Sequence, residues 1–168
     1  MVSGTAAFRR LELPSGVKGQ VYLHSMPGRC ETWAQFEATA AASRIQAIVC
    51  LADDAEIAKK SKCYAEALQR RLPYALHRFP IDDYGVPDDD EGFAGFVTFV
   101  ADRLRDGERV LVHCGAGIGR TGMFASCLLM ALGCGIEDAR AAVEAAKSGP
   151  ERPEQHSLVR RFAARRDA

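Results

Sequence analysis

The chain has 168 residues, 48% of them hydrophobic, with 22 basic and 22 acidic side chains and a formal net charge of zero. That length and apolar content suit one domain, 1–168, with a sizeable core. The balanced charge gives no pull toward nucleic acid or an anionic membrane as partner. Met1 to Arg10 lacks an apolar h-region and a cleavage pattern, and the most apolar run, Met123 to Leu132, is too short to span a bilayer. Six cysteines, at 30, 50, 63, 114, 127 and 134, form no CxxC pair and carry no histidine spacing for zinc. Reduced thiols in a cytoplasmic monomer are the expectation, with one thiol doing more.

In chain order, Phe8 to Leu13 and Gln20 to His24 read as short strands around the turn cluster Pro14-Ser15-Gly16. Glu31 to Ser43 reads as a helix with Trp33, Phe36 and Ala40 on one face. Ile45 to Leu51 has the length and continuous apolarity of a strand buried on both faces. Asp53 to Leu72 is polar and helix-prone, one covering helix or two. Pro73 and Pro80 bracket a further strand, Tyr74 to Phe79. Ile81 to Asp88 is a loop by its Gly, Pro and Asp content, and Asp88 to Asp90 suit the start of a helix. In that helix Phe93, Phe96, Val97, Val100 and Leu104 form a buried stripe, and Gly107 ends it. Arg109 to His113 is the next strand. Helices follow over Arg120 to Leu132, Ile136 to Lys147 and, opened by Pro153, to Arg166.

Strands alternating with helices imply α/β: one mainly parallel sheet with helices on both faces. In such sheets ligands sit beyond the carboxyl ends of the strands. The loops after Leu51, Phe79 and His113 should therefore share one edge, with Asp82 and Asp83 near Cys114.

The organising stretch is His113-Cys114-Gly115-Ala116-Gly117-Ile118-Gly119-Arg120-Thr121-Gly122, a glycine-rich turn between a strand and a helix. Amides of the turn and of the first helical turn converge there, and the helix dipole adds partial positive charge, so the junction suits an anion. Gly115, Ala116, Gly117, Ile118 and Gly119 supply the backbone donors, and the Arg120 fork can grip two phosphoryl oxygens. The same field favours thiolate over thiol at Cys114. Thr121 is placed to donate to that sulfur, and His113 to tie the loop to backbone. Gly117, Gly119 and Gly122 also spell a dinucleotide fingerprint. That reading needs an acidic residue at the end of a following strand, whereas Glu137 and Asp138 begin a helix. A nucleoside-triphosphate loop would need Gly-Lys-Ser/Thr, which is absent.

Cys-x5-Arg within His-Cys-x-x-Gly-x-x-Arg-Thr-Gly resembles the active-site loop of the cysteine-dependent protein tyrosine phosphatases, which usually carry Ser where this chain has Gly115. Pro80-Ile81-Asp82-Asp83-Tyr84-Gly85-Val86-Pro87-Asp88 is similar to the general-acid loop of small dual-specificity phosphatases, including the kinase-associated phosphatase group. Their acid aligns with Asp83, with Asp82 as the neighbouring alternative. The resemblance runs from about Gln20 to Phe162. It implies hydrolysis of phosphorylated protein side chains, phosphotyrosine first, through a phosphocysteine, with no cofactor and no metal. Gln155 matches one of two water-positioning glutamines of tyrosine phosphatases; the other position is Glu151. Some relatives hold a redox partner where this chain has Cys50. Lipid-phosphate relatives place lysines inside the loop, where Gly115 and Ile118 stand here. A phosphoinositide or other non-protein phosphomonoester phosphatase of the same superfamily, a non-catalytic phosphate reader and a sulfur-transferring rhodanese remain as alternatives.

Overall fold

The computed structural model describes residues 7–167. Within them five strands form one sheet in the order β1-β2-β5-β3-β4. The strands are β1 (Arg9–Leu11), β2 (Gln20–His24), β3 (Ala47–Cys50), β4 (Ala75–Arg78) and β5 (Arg109–His113). Only β1, an edge strand, runs antiparallel to its neighbour, β2, across the turn cluster Pro14-Ser15-Gly16. The other pairs are parallel.

Strand side chains alternate between faces, and both faces are covered. Val21, Leu23, Ala47, Val49, Val110 and Val112 pack on one side with α4 (Asp90–Arg105), α5 (Gly119–Ala131), α6 (Ile136–Ala145) and α7 (Pro153–Asp167). On the other side Ile48 and Leu111 meet α1 (Trp33–Ala42), while Cys50 meets α2 (Asp54–Lys60) and α3 (Lys62–Ala67). Every residue of α5 is buried, so it is a core helix wedged between α4, α6 and α7. Truncating one of its leucines to Ala should cost about 2–5 kcal/mol.

Local chemistry sets the boundaries. The Thr32 side chain accepts from the Gln35 amide while the Gln35 side chain accepts from the Thr32 amide, a reciprocal cap that starts α1 at Trp33, two residues later than the expected start at Glu31. The polar stretch after Asp53 divides into α2 and α3 at Ser61, whose φ of −150° is not helical. Its hydroxyl instead donates to the Pro27 carbonyl at 2.7 Å. Asp89 occupies the N-cap of α4 without a side-chain cap bond, and the adjacent Asp90 carboxylate pairs with Arg161 of α7. That half-exposed pair links α7 to the start of α4.

The parallel register aligns Cys50 of β3 with His113 of β5 and with Arg78 of β4. The segments after β3, β4 and β5 therefore leave the sheet side by side, which brings the site together.

Candidate active site

In a trans peptide the C=O and the next N–H point in opposite directions, so tying a carbonyl outward aims the following amide inward. The glycine-rich loop is tied in this way at four points. His113 Nδ1 lies 2.9 Å from the Cys114 carbonyl. The Met26 amide donates to the Gly115 carbonyl at 2.9 Å. Arg9 and Ser148 each donate to the Gly117 carbonyl at 2.7 Å. The Gly149 and Gly122 amides donate to the Ile118 carbonyl at 3.2 and 2.7 Å. The amides of Gly115, Ala116, Ile118 and Gly119 are thus turned to the opposite side, toward the amino end of α5, where an anion gains from them and from the helix dipole. Gly117 has φ +75°, and a Cβ there would collide with the His24 carbonyl, so the turn demands glycine.

Cys114, 2% exposed, lines the cleft at the start of this loop, and Thr121 donates its hydroxyl to Cys114 Sγ at 3.1 Å. A carbonyl only accepts, so His113 carries its proton on Nδ1, and in the neutral ring Nε2 accepts from Tyr64, whose hydroxyl is 2.9 Å away. His113 is therefore the tie to backbone that its position suggested. Tyr64, 49 residues distant, holds it in that tautomer.

Arg120 is 2% exposed and makes four contacts through its two terminal nitrogens. Nη1 and Nη2 each donate to one oxygen of Glu56 at 2.7 Å, Nη1 also to the Ile81 carbonyl at 2.8 Å, and Nη2 to Asp83 at 3.0 Å. Burial alone would push the Glu56 carboxyl up; the hydrogen bonds from Arg120 and Lys60 outweigh it and hold it at about 2. Burial likewise works against the Arg120 charge, and Glu56, with the Cys114 sulfur next, raises its proton affinity above the ordinary arginine range. Lys60 Nζ sits 2.6 Å from Glu56 and 3.1 Å from Asp83. Gly115 makes this approach possible: a Cβ there would lie 2.8 Å from both Glu56 Oε2 and Lys60 Nζ. A side chain at 115 and the Glu56–Lys60 pair compete for one space.

The loop over the cleft is built differently. Asp83 pairs with Arg120 and Lys60, whereas the Asp82 carboxylate has no ion-pair partner among the described residues. Tyr84, exposed and at φ +61°, donates its amide to Asp83 Oδ1 at 3.0 Å. The Arg152 guanidinium lies 4.6 Å from the centre of its ring. Buried Gln155 joins the two segments: its Oε1 accepts from the Glu151 amide at 2.8 Å, and its Nε2 donates to the Gly85 carbonyl at 3.0 Å. The open cleft between them is lined by Arg29, Lys60, Asp83, Tyr84, Cys114, Ala116, Arg120 and Glu151. Glu151, not Gln155, thus faces the cleft.

Cys50 is buried beside His113 and Tyr64, on the sheet face opposite the Val112 side chain, and its thiol reaches the Ala52 carbonyl at 3.4 Å. Burial pushes this thiol up, but His113, when its ring is protonated, and the Arg78 charge bring it down to about 7.

Glu56, Lys60 and Tyr64 are site residues that the motif does not contain. Glu56 and Lys60 carry a faint signal, an acid and a base four residues apart on a helix that begins beyond β3. Tyr64 carries none.

A family profile described as "Swiss Army Knife protein, DSP-PTPase phosphatase domain" matches residues 17–166. A segment of 53 residues, 28% of this chain, is 49% identical to the mouse tyrosine-protein phosphatase non-receptor type 4, and spans 6% of that protein's length. Among solved structures, a kinase associated phosphatase with its catalytic cysteine changed to serine superposes with a TM-score of 0.80 at 20% identity, covering 98% of each chain. PTPMT1 in complex with PI(5)P superposes with a TM-score of 0.67 at 20% identity, over 88% of this chain and 94% of that one. With the profile spanning most of its length, the chain belongs to the dual-specificity-like family of cysteine phosphatases.

Proposed function

We propose that the protein hydrolyses phosphomonoesters on protein side chains, phosphotyrosine first and phosphoserine or phosphothreonine with it, through a phosphocysteine on Cys114. The observation that carries this reading is the set of outward-tied carbonyls around Cys114, with Arg120 forked in front and Asp83 bonded to that fork. The Cys114 thiolate attacks phosphorus in line, while the loop amides and Arg120 take up charge on the equatorial oxygens. A phenol leaves with a pKa near 10 and an alcohol far higher, so departure at neutral pH needs a proton, which Asp83 supplies. Water then attacks the phosphocysteine, Asp83 accepts its proton and the thiolate is restored. Glu56 holds the fork in plane for both steps. Gln155 acts through the loop it braces, fixing the segment from which water approaches. A monomer in a reducing, cytoplasmic setting completes the reading, with phosphorylated proteins as partners.

Gly115 and Ile118 stand where lipid-phosphate relatives carry lysines, which favours protein substrates; Lys60, however, reaches the cleft from α2. The test is side by side: a phosphotyrosyl peptide, a phosphoseryl peptide and a short-chain phosphoinositide, each with wild type and Cys114→Ser. Release of phosphate from the peptides, absent in the variant, is expected. Turnover of the phosphoinositide alone would replace the substrate class, and no turnover of any would leave a phosphate reader.

Cys50 is the redox partner in this reading. Hydrogen peroxide oxidises the Cys114 thiolate to a sulfenic acid with loss of hydroxide. The Cys50 thiolate then attacks that sulfur, forming the disulfide as a second hydroxide leaves. Cys50 pairs in register with His113, the residue before Cys114, so the two cysteines stand at neighbouring strand ends. By contrast, burial pushes the Cys127 thiol far up. Peptide mapping after peroxide should find a Cys50–Cys114 bridge; a bridge to Cys127, or none, would remove Cys50 from the account.

A further inference from the structure

We propose that Arg9, with Ser148, is a clamp that sets the oxyanion affinity of the site from behind the glycine-rich loop. This rests on the phosphatase reading for its use, and on geometry for its existence. Arg9 is half-buried on the edge strand β1 and uses both terminal nitrogens on fixed acceptors. Nη1 donates to the carbonyls of Ala146 and Lys147 at 3.0 and 2.8 Å and to Ser148 Oγ at 3.0 Å, while Nη2 donates to the Gly117 carbonyl at 2.7 Å. Ser148, itself buried, donates to the same Gly117 carbonyl at 2.7 Å. One guanidinium therefore joins the sheet edge, the turn after α6 and the middle of the phosphate cradle.

The consequence follows from peptide geometry. Gly117 has φ +75°, a conformation glycine leaves easily, so its peptide needs an external hold. With the Gly117 carbonyl gripped by two donors, the Ile118 amide is aimed away from them, into the cradle. Without the grip, that peptide turns freely and the cradle loses a donor. Electrostatics act in the same direction. Burial lowers Arg9's hold on its proton, and attraction to the Cys114 sulfur restores part of it, so the clamp also brings a positive charge near the nucleophile. Arg9 lies outside residues 17–166, the part matched by the family profile, whereas its partner Ser148 lies within it.

The experiment is calorimetric titration of inorganic phosphate into Cys114→Ser, alone and combined with Arg9→Met, Arg9→Lys or Arg10→Met. The exposed neighbour Arg10 is the control. Arg9→Met should weaken phosphate binding about tenfold, the scale of one charge-assisted hydrogen bond. Arg9→Lys should recover part of it, and Arg10→Met should change nothing. A lower melting temperature with phosphate affinity unchanged would make Arg9 merely structural and overturn the proposal. Should Arg9→Met fail to fold, Ser148→Ala decides: unchanged affinity overturns the clamp, and a several-fold loss supports it. Because the titration needs no turnover, a wild type that hydrolyses no phosphoester would sink the enzymatic reading and leave this comparison standing.

Discussion

The two loops that meet over Cys114 are held by opposite means. The glycine-rich loop is buried except at Ala116 and Ile118, and its carbonyls are fixed by donors from three other parts of the chain as well as from its own two ends. The Asp83 loop is exposed, and over the cleft it is held by two ion pairs, one stacked guanidinium and one amide. Rigid donors aimed at developing charge need no reorganisation during reaction, whereas a proton donor has to let substrate in and product out. In the proposed reaction this division puts fixed donors where charge develops and an exposed, ion-paired loop where substrate and product pass.

The comparison can be broken most severely from the rigid side. Cys114→Ser should reduce turnover of para-nitrophenyl phosphate to background while inorganic phosphate still binds, since the cradle survives. On the exposed side, Asp83→Asn should lower kcat on an alkyl phosphate by about 10²- to 10⁴-fold, and by less on para-nitrophenyl phosphate, whose leaving group needs less help. Asp82→Asn should leave both rates near wild type; the reverse pattern would move the acid by one residue. Arg120→Lys keeps the charge and loses the fork, and should lower kcat/KM by about 10²- to 10³-fold.

Smaller changes sharpen the contrast. Glu56→Gln should lower kcat/KM about tenfold, because Arg120 keeps its position but loses its strongest partner. It also carries a pH signature. The folded carboxyl is held at about 2 against an ordinary value near 4.5, so its pairing stabilises the fold above pH 4.5 and that contribution fades as pH falls toward 2. Melting temperature against pH should therefore show wild type above Glu56→Gln at neutral pH, with the two curves converging in acid. Parallel curves would contradict the pairing. Lys60→Met removes a partly exposed pair and should change kcat by only about two- to fivefold.

What the sequence makes legible is local. The strand, the glycine-rich turn and α5 are contiguous, and the identities of Cys114, Arg120 and Thr121 carry their geometry. The alternation of strands and helices carries the sheet edge that brings Asp83 to Arg120. Partners supplied from a distance are not legible in this way. Glu56 reaches Arg120 across 64 positions, Tyr64 reaches His113 across 49, and Arg9 reaches Gly117 across 108. None of these sits in a motif, and nothing in a run such as Tyr64-Ala65-Glu66 distinguishes a hydroxyl that fixes a tautomer from one that caps a core. Gly115 is the instructive intermediate: its departure from the usual serine is visible in the sequence, but its reason, the Lys60–Glu56 pair above it, is visible only in three dimensions.

The central claim is that phosphate passes through the Cys114 sulfur. Rapid acid quench of the wild type reacting with para-nitrophenyl phosphate, followed by peptide mass spectrometry, tests it directly. The expected result is a transient phosphoryl group on the peptide carrying Cys114, formed with a burst of nitrophenol. Steady hydrolysis with no phosphorylated peptide, or turnover surviving in Cys114→Ser, would contradict it.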